Sequence, residues 1–223
     1  MVLGAGVSVG CGLPNWFTLT QRAYDTVGAG KLSAGCDCAA AADELLKTHC
    51  GGDDIQFAEL IRRVLYDGFS LDAVSLAAQP LLNALGALTM ASARGNVSVV
   101  VSYNFDDLLE RYLTYYGYSV NSIGKLPAWN CRADVEIMGG IVMAHSQFQR
   151  IVGSAVHAWN RHQLDVMTCN TCLFIGLSGE DPNLIDLLSK VNNGEHASSQ
   201  GLEKYWGIRF SDKDSDTFTT KWE

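Results

Sequence analysis

The 223-residue sequence is short of cations: 16 Lys and Arg stand against 24 Asp and Glu, a formal net charge of −8. No block of Lys or Arg stands out, which argues against a broad nucleic-acid-binding face. Backbone amides remain able to hold a small anionic ligand. The sequence has no uninterrupted apolar run of roughly 18 residues, so no membrane span is expected. Its N-terminus lacks the basic flank of a signal peptide. A disulfide framework is missing too. The cysteines are odd in number and scattered, at Cys11, Cys36, Cys38, Cys50, Cys131, Cys169 and Cys172, which fits reduced thiols in the cytoplasm. Cys169-Asn-Thr-Cys172 has metal-ligand spacing, but no second C-x-x-C lies at zinc-ribbon distance. It runs into the apolar Leu173–Gly176, so both thiols are expected in the core and no metal is expected. Cys36 and Cys38 are expected at the surface or in packing. There is no internal repeat and no low-complexity linker.

What is present is enough apolar chain for a real core, with 48% hydrophobic and 18% charged residues. The length suits one large domain, or a core with a small subdomain. The organising stretch is the first: Met1–Leu3 is apolar and breaks into Gly4, Gly6, Gly10 and Gly12, with Ser8 and Pro14 among them. Apolar residues that end in closely spaced glycines predict a strand entering a turn. Glycine there lets another backbone or a ligand come close. A helix beginning just after would favour a phosphate at its N-terminus. The spacing departs from G-x-G-x-x-G by one residue, and a plain glycine-rich turn stays open as the alternative.

Helical patterns follow at Thr18–Val27, Ala39–His49, Ile55–Tyr66 and Asp72–Leu88, with Gly51-Gly52 as a stop and Asp53-Asp54 as a start. So many helices before the next strand predict a helical insertion, about residues 17–92, although crossover helices on one sheet face would read alike. Val97–Ser102 is a continuous run rich in β-branched valine and predicts a strand buried on both faces. It ends in Tyr103-Asn-Phe-Asp106, where an α/β sheet places ligand-binding residues. Asn104 or Asp106 capping the next helix is the competing reading. Tyr118–Ile123, Val135–Met138 and Ile141–Met143 have strand character. Ser146–Val166 is helical in pattern and carries His157 and His162, whose spacing of five does not stack them as metal ligands. Thr171–Gly176 predicts a strand, Asp181 and Pro182 an N-cap and first helical residue, and Asn193-Gly194 the helix end. Tyr205–Phe210 predicts a last strand before a polar tail, residues 211–223.

Three strand ends thus carry motifs: Gly4-Ala-Gly-Val-Ser8 with Gly12-Leu-Pro-Asn-Trp16, Tyr103-Asn-Phe-Asp106, and Gly176-Leu-Ser-Gly-Glu-Asp-Pro-Asn183. Together they resemble the sirtuin superfamily, and are most similar to the SIR2-like domains of bacterial antiphage defence proteins of the Thoeris type, which hydrolyse NAD. The resemblance spans roughly Val2 to Phe210. It implies an α/β fold with a Rossmann-like parallel sheet, helices on both faces and a helical insertion, as a single domain over residues 1–210. It implies NAD, or an ADP-ribose-like nucleotide, across the strand ends. Gly4, Ala5, Gly6 and Ser8 would line the diphosphate and ribose, Pro14 and Asn15 the nicotinamide loop, and Gly176 and Ser178 the adenosine side. Asn104 would be catalytic, with Asp106 beside it. The zinc module of sirtuin deacylases has no counterpart, which favours hydrolysis over deacylation.

Two departures matter. The family places a His-Gly pair after the asparagine motif, and the nearest counterpart here is Met138-Gly139. Methionine takes no proton, and His145, seven residues on, suits a helix start. The closing strand and helix of the family have no match beyond Phe210. Two expectations follow: an NAD glycohydrolase, or a sensor or assembly module that binds NAD or ADP-ribose without cleaving it. A homo-oligomer and a defence-system partner protein are the assemblies the resemblance suggests.

Overall fold

The computed structural model describes residues 1–91, 94, 97–120, 143–144, 146–147, 149, 158–177, 182–192 and 205–207. Within them the chain is α/β. Strands β1 (Val2–Leu3), β2 (Val101–Ser102), β3 (Cys172–Ile175) and β4 (Tyr205–Gly207) form one sheet in the order β2-β1-β3-β4. Every pairing is parallel: Val2 lies opposite Val101 on one side and Phe174 on the other, and Cys172 opposite Tyr205. Because β1 lies between β2 and β3, the chain leaves it toward one edge and later returns on its other side. Such a reversal is where open α/β sheets leave a crevice at the carboxyl ends of their strands.

Strand alternation divides the core in two. Val2, Val101, Cys172 and Phe174 pack with Met167, Leu184, Leu187 and Val191. These last four come from helices α8 (Ala158–Cys169) and α9 (Pro182–Asn192). Leu3, Val100 and Ile175 turn the other way, into a larger cluster built on the first seven helices. Helices therefore cover both sheet faces.

Most of that larger cluster is the insertion. Between β1 and β2 the described residues form α1 (Ala5–Gly10), α2 (Trp16–Val27), α3 (Cys38–Thr48), α4 (Asp54–Leu65), α5 (Ala73–Ala77) and α6 (Pro80–Met90). Helix α7 (Leu108–Tyr115) follows β2. Leu19, Leu45, Phe57 and Ile61 are fully buried where α2, α3 and α4 meet. The helix starts are written in the sequence: the Asn15, Asp37, Asp53 and Asp72 side chains accept backbone N–H bonds at the N-termini of α2 to α5. Further along, Gln147 is buried, donates to Asp54 at 2.9 Å and accepts from the Met143 and Ala144 amides. This bonds the later chain to the insertion.

Four expectations change. Asp72–Leu88 is two helices, because Pro80 lacks an amide hydrogen and starts α6 as its first residue. The ladder of β2 covers Val101–Ser102 alone, at a sheet edge among the described residues, and Val99 is 36% exposed. It is not a strand buried on both faces throughout. Tyr118–Val120 carries no strand: the Tyr118 amide donates to Leu113 and the Gly117 amide to Thr114, closing α7 in a Schellman motif with Gly117 at φ 83°. Of the paired thiols, Cys172 is buried as expected but Cys169, at the end of α8, is exposed. Cys36 and Cys38 are half-buried. The readings at Ser178, Met138-Gly139, His145, His157, Asp181, 193–194 and the tail 211–223 lie outside the described residues, as do 121–123, 141–142 and 208–210.

Candidate functional site

In the turn after β1, backbone packs directly on backbone. The Gly4 amide donates to the Ile175 carbonyl at 2.9 Å and the Gly6 amide to the Gly176 carbonyl at 2.8 Å. A Cβ on Gly4 would lie 2.6 Å from the Gly176 oxygen, and one on Gly6 2.9 Å from the Gly176 Cα. Gly176 has φ +70°, and a Cβ there would lie 2.6 Å from the Val7 nitrogen. All three positions need glycine because the ends of β1 and β3 touch at the switch point. The amides of Gly4, Gly6 and Val7 are used within the protein, Val7 donating to Gly4. Ala5, Gly6 and Gly176 are exposed above this contact, while Gly4 is buried.

Ser8 faces inward from α1 and is 6% exposed. Its hydroxyl donates to Asp106 Oδ2. Asp106 is 8% exposed, and its Oδ1 accepts the Leu108 amide at 3.1 Å. Leu108 is the first residue of α7, so its amide has no partner within the helix. Asp106 therefore helps to cap α7, as the competing reading expected, and it also joins the β1 turn to the β2 turn. Burial raises its pKa, against the opposing hydrogen bonds from Ser8 and Leu108. Cys11 lies close enough that burial first, then the Asp106 charge, pushes its thiol up to about 11.

Asn104 follows Tyr103, whose amide donates to Leu3. It stands at the carboxyl end of β2, one residue past the bond that ties this strand to β1. Its amide donates to Ser102 Oγ at 3.2 Å, and its side chain does not cap α7. Among the described residues, Asn104 Oδ1 is a buried side-chain oxygen with no hydrogen-bond partner. An unmatched buried acceptor costs about 1–3 kcal/mol, so a donor from a ligand would be well placed there. Pro14 is half-buried and Asn15 exposed, with the Asn15 oxygen accepting the Thr18 amide at 2.9 Å. Asn15 is thus a helix cap as well as a candidate binding residue.

Sequence reasoning missed a second layer behind the β2 turn. The Tyr66 hydroxyl, at the end of α4, donates to Asp107 Oδ1 at 2.6 Å and accepts the Asp107 amide at 2.9 Å. Arg111 Nε donates to the same carboxylate oxygen at 2.8 Å. Burial, then the Asp107 charge, raises the Tyr66 pKa. Asp107 with Arg111 four residues on was a visible helical pair. Tyr66 had no signal, being one aromatic among many at the end of a helix.

A groove of about 420 Å³ lies elsewhere, on the insertion, lined by His49, Cys50, Glu59 and Arg63 among others. None of its lining residues belongs to the three turns. The described residues include no cluster of His, Cys, Asp or Glu able to hold a metal and no helix long and apolar enough to cross a membrane. Compared with known proteins, the chain matches no family model and no curated protein.

Proposed function

We propose that this chain is a SIR2-like domain of the sirtuin superfamily with a Rossmann-like fold, and that it binds NAD at the carboxyl ends of its strands and cleaves it to ADP-ribose and nicotinamide. What supports the reading most is convergence. The Gly4–Ser8, Asn104–Asp106 and Gly176 segments lie far apart in sequence, and Ser8 bonds Asp106 while Gly6 bonds Gly176. The resemblance groups the same segments around one nucleotide. The orphaned Asn104 oxygen fits a ribose hydroxyl or the attacking water.

The chemistry asks little of the protein. Neutral nicotinamide leaves from a pyridinium, so no general acid is needed. The transition state carries positive charge on the ribose, which the site must stabilise while it positions water. Asn104 supplies that contact. Ala5, Gly6 and Gly176 give the exposed floor over which the diphosphate and adenosine lie. Asp106, with both oxygens engaged inside the protein, acts through Ser8 and the β2 turn and supplies negative potential from beneath. In a bacterial cytoplasm such an activity would deplete NAD during phage infection.

Met138 favours a second reading, an NAD- or ADP-ribose-binding sensor without turnover, because the resemblance calls for a histidine base there. A base contributes about 10²–10⁴-fold, so its loss slows cleavage without abolishing binding. Incubation with NAD and measurement of free nicotinamide decides between them. The hydrolase reading expects release, and a loss of about 10²–10³-fold in Asn104→Ala. Binding of ADP-ribose without release selects the sensor. Absence of both overturns the proposal.

A further inference from the structure

We infer that Tyr66 is a positioning residue, through which the helical insertion holds the Asp106–Ser8 pair at the strand ends. The inference rests on the proposed nucleotide site only for what that pair serves.

Tyr66 closes α4 and is the first residue of the connection 66–72 that leads to α5. Its hydroxyl makes two bonds to one residue: it donates to the Asp107 carboxylate and accepts the Asp107 amide. Two bonds to a single residue fix both the backbone and the side chain of Asp107. Asp106 is its chain neighbour, so its carboxylate is aimed by that same backbone. The connection is itself restrained. Arg22 of α2 donates to the Val64 and Asp67 carbonyls, and Tyr115 of α7 donates to the Leu71 carbonyl at 2.9 Å. Phe69 in the same connection packs by Gly12, where an added Cβ would sit 3.7 Å from its ring. One short segment of the insertion therefore touches the loop after α1 and the turn after β2.

The Tyr66 hydroxyl is also costly to leave in place unless it is used. It is half-buried, its two partners both belong to Asp107, and burial is the leading cause of its raised pKa. A phenylalanine would pack the same ring without the cost. Arg111 contacts only the carboxylate and leaves the Asp107 amide untouched, so it does not duplicate the hydroxyl.

The Leu108 amide is a built-in reporter. It is the first amide of α7, and its acceptor is Asp106 Oδ1. Its hydrogen exchange therefore reads whether the Asp106 carboxylate is held. In Tyr66→Phe, exchange at Leu108 is expected to accelerate about tenfold, the scale of one hydrogen bond to a charged acceptor. The Leu45 and Leu46 amides in α3 should stay within about twofold of wild type, and ADP-ribose affinity by calorimetry should fall by a similar factor of about ten. Unchanged Leu108 exchange in a folded Tyr66→Phe protein overturns the inference. If wild type binds no ADP-ribose, the nucleotide reading fails while the exchange result still decides the role of Tyr66. Should Tyr66→Phe not fold, Arg111→Gln decides: Leu108 must stay protected with Tyr66 in place, and loss of protection would assign the hold to Arg111 instead.

Discussion

Burial at Asp106 sets the sign of a pH effect. Its carboxyl has a higher pKa in the folded protein than in the unfolded chain, chiefly from desolvation. The native state therefore binds that proton more tightly. The stabilisation is full below the ordinary carboxylate value and is lost as pH rises through the raised one. Asp106→Asn keeps an oxygen for the Leu108 amide and an amino group for Ser8, and removes the charge. The melting temperature of Asp106→Asn minus that of wild type should rise as pH increases from the ordinary carboxylate value, about 4, through the raised one. A difference that is flat or falls over that range would contradict the burial account. Nothing in the sequence announced this burial. In sequence Asp106 reads as a helix cap or a site acid; its bond to Ser8, 98 residues away, belongs to neither reading.

The helices of the insertion were legible because their signals are local. Asp53 before an apolar 3.6-residue period is enough to place α4, and the observed Asp54–Leu65 differs from the expected span by one residue at each end. Pro80 is an equally local signal, and it separates α5 from α6. The strand ladders are a different matter. β2 can be no longer than the strand it pairs with, and β1 offers Val2 and Leu3. A continuous β-branched run cannot reveal how many of its residues find a partner. The stability of the insertion should depend on its buried face. Phe57 is fully buried between α4 and its neighbours, so Phe57→Ala should cost about 3–5 kcal/mol in urea unfolding. A cost under about 1 kcal/mol would mean that α4 packs elsewhere.

For the whole molecule, the parallel sheet with its reversal at β1 places three distant turns along one edge. The motifs at those turns were readable one by one. Their contact was not, because it depends on strand order, which no local pattern encodes. The structure adds a physical reason for the glycines that a ligand-based reading leaves out: β1 and β3 end in direct backbone contact, and any side chain at Gly4, Gly6 or Gly176 would break it. Asn104, with its unmatched oxygen, follows the strand that pairs with β1 on its other side. Hydrogen exchange of the full chain with and without saturating NAD tests the central claim most directly. The account predicts slowed exchange confined to Ala5–Ser8, Asn104–Leu108 and the residues around Gly176. Protection elsewhere, such as along the groove at His49 and Arg63, or no protection at all, would contradict it.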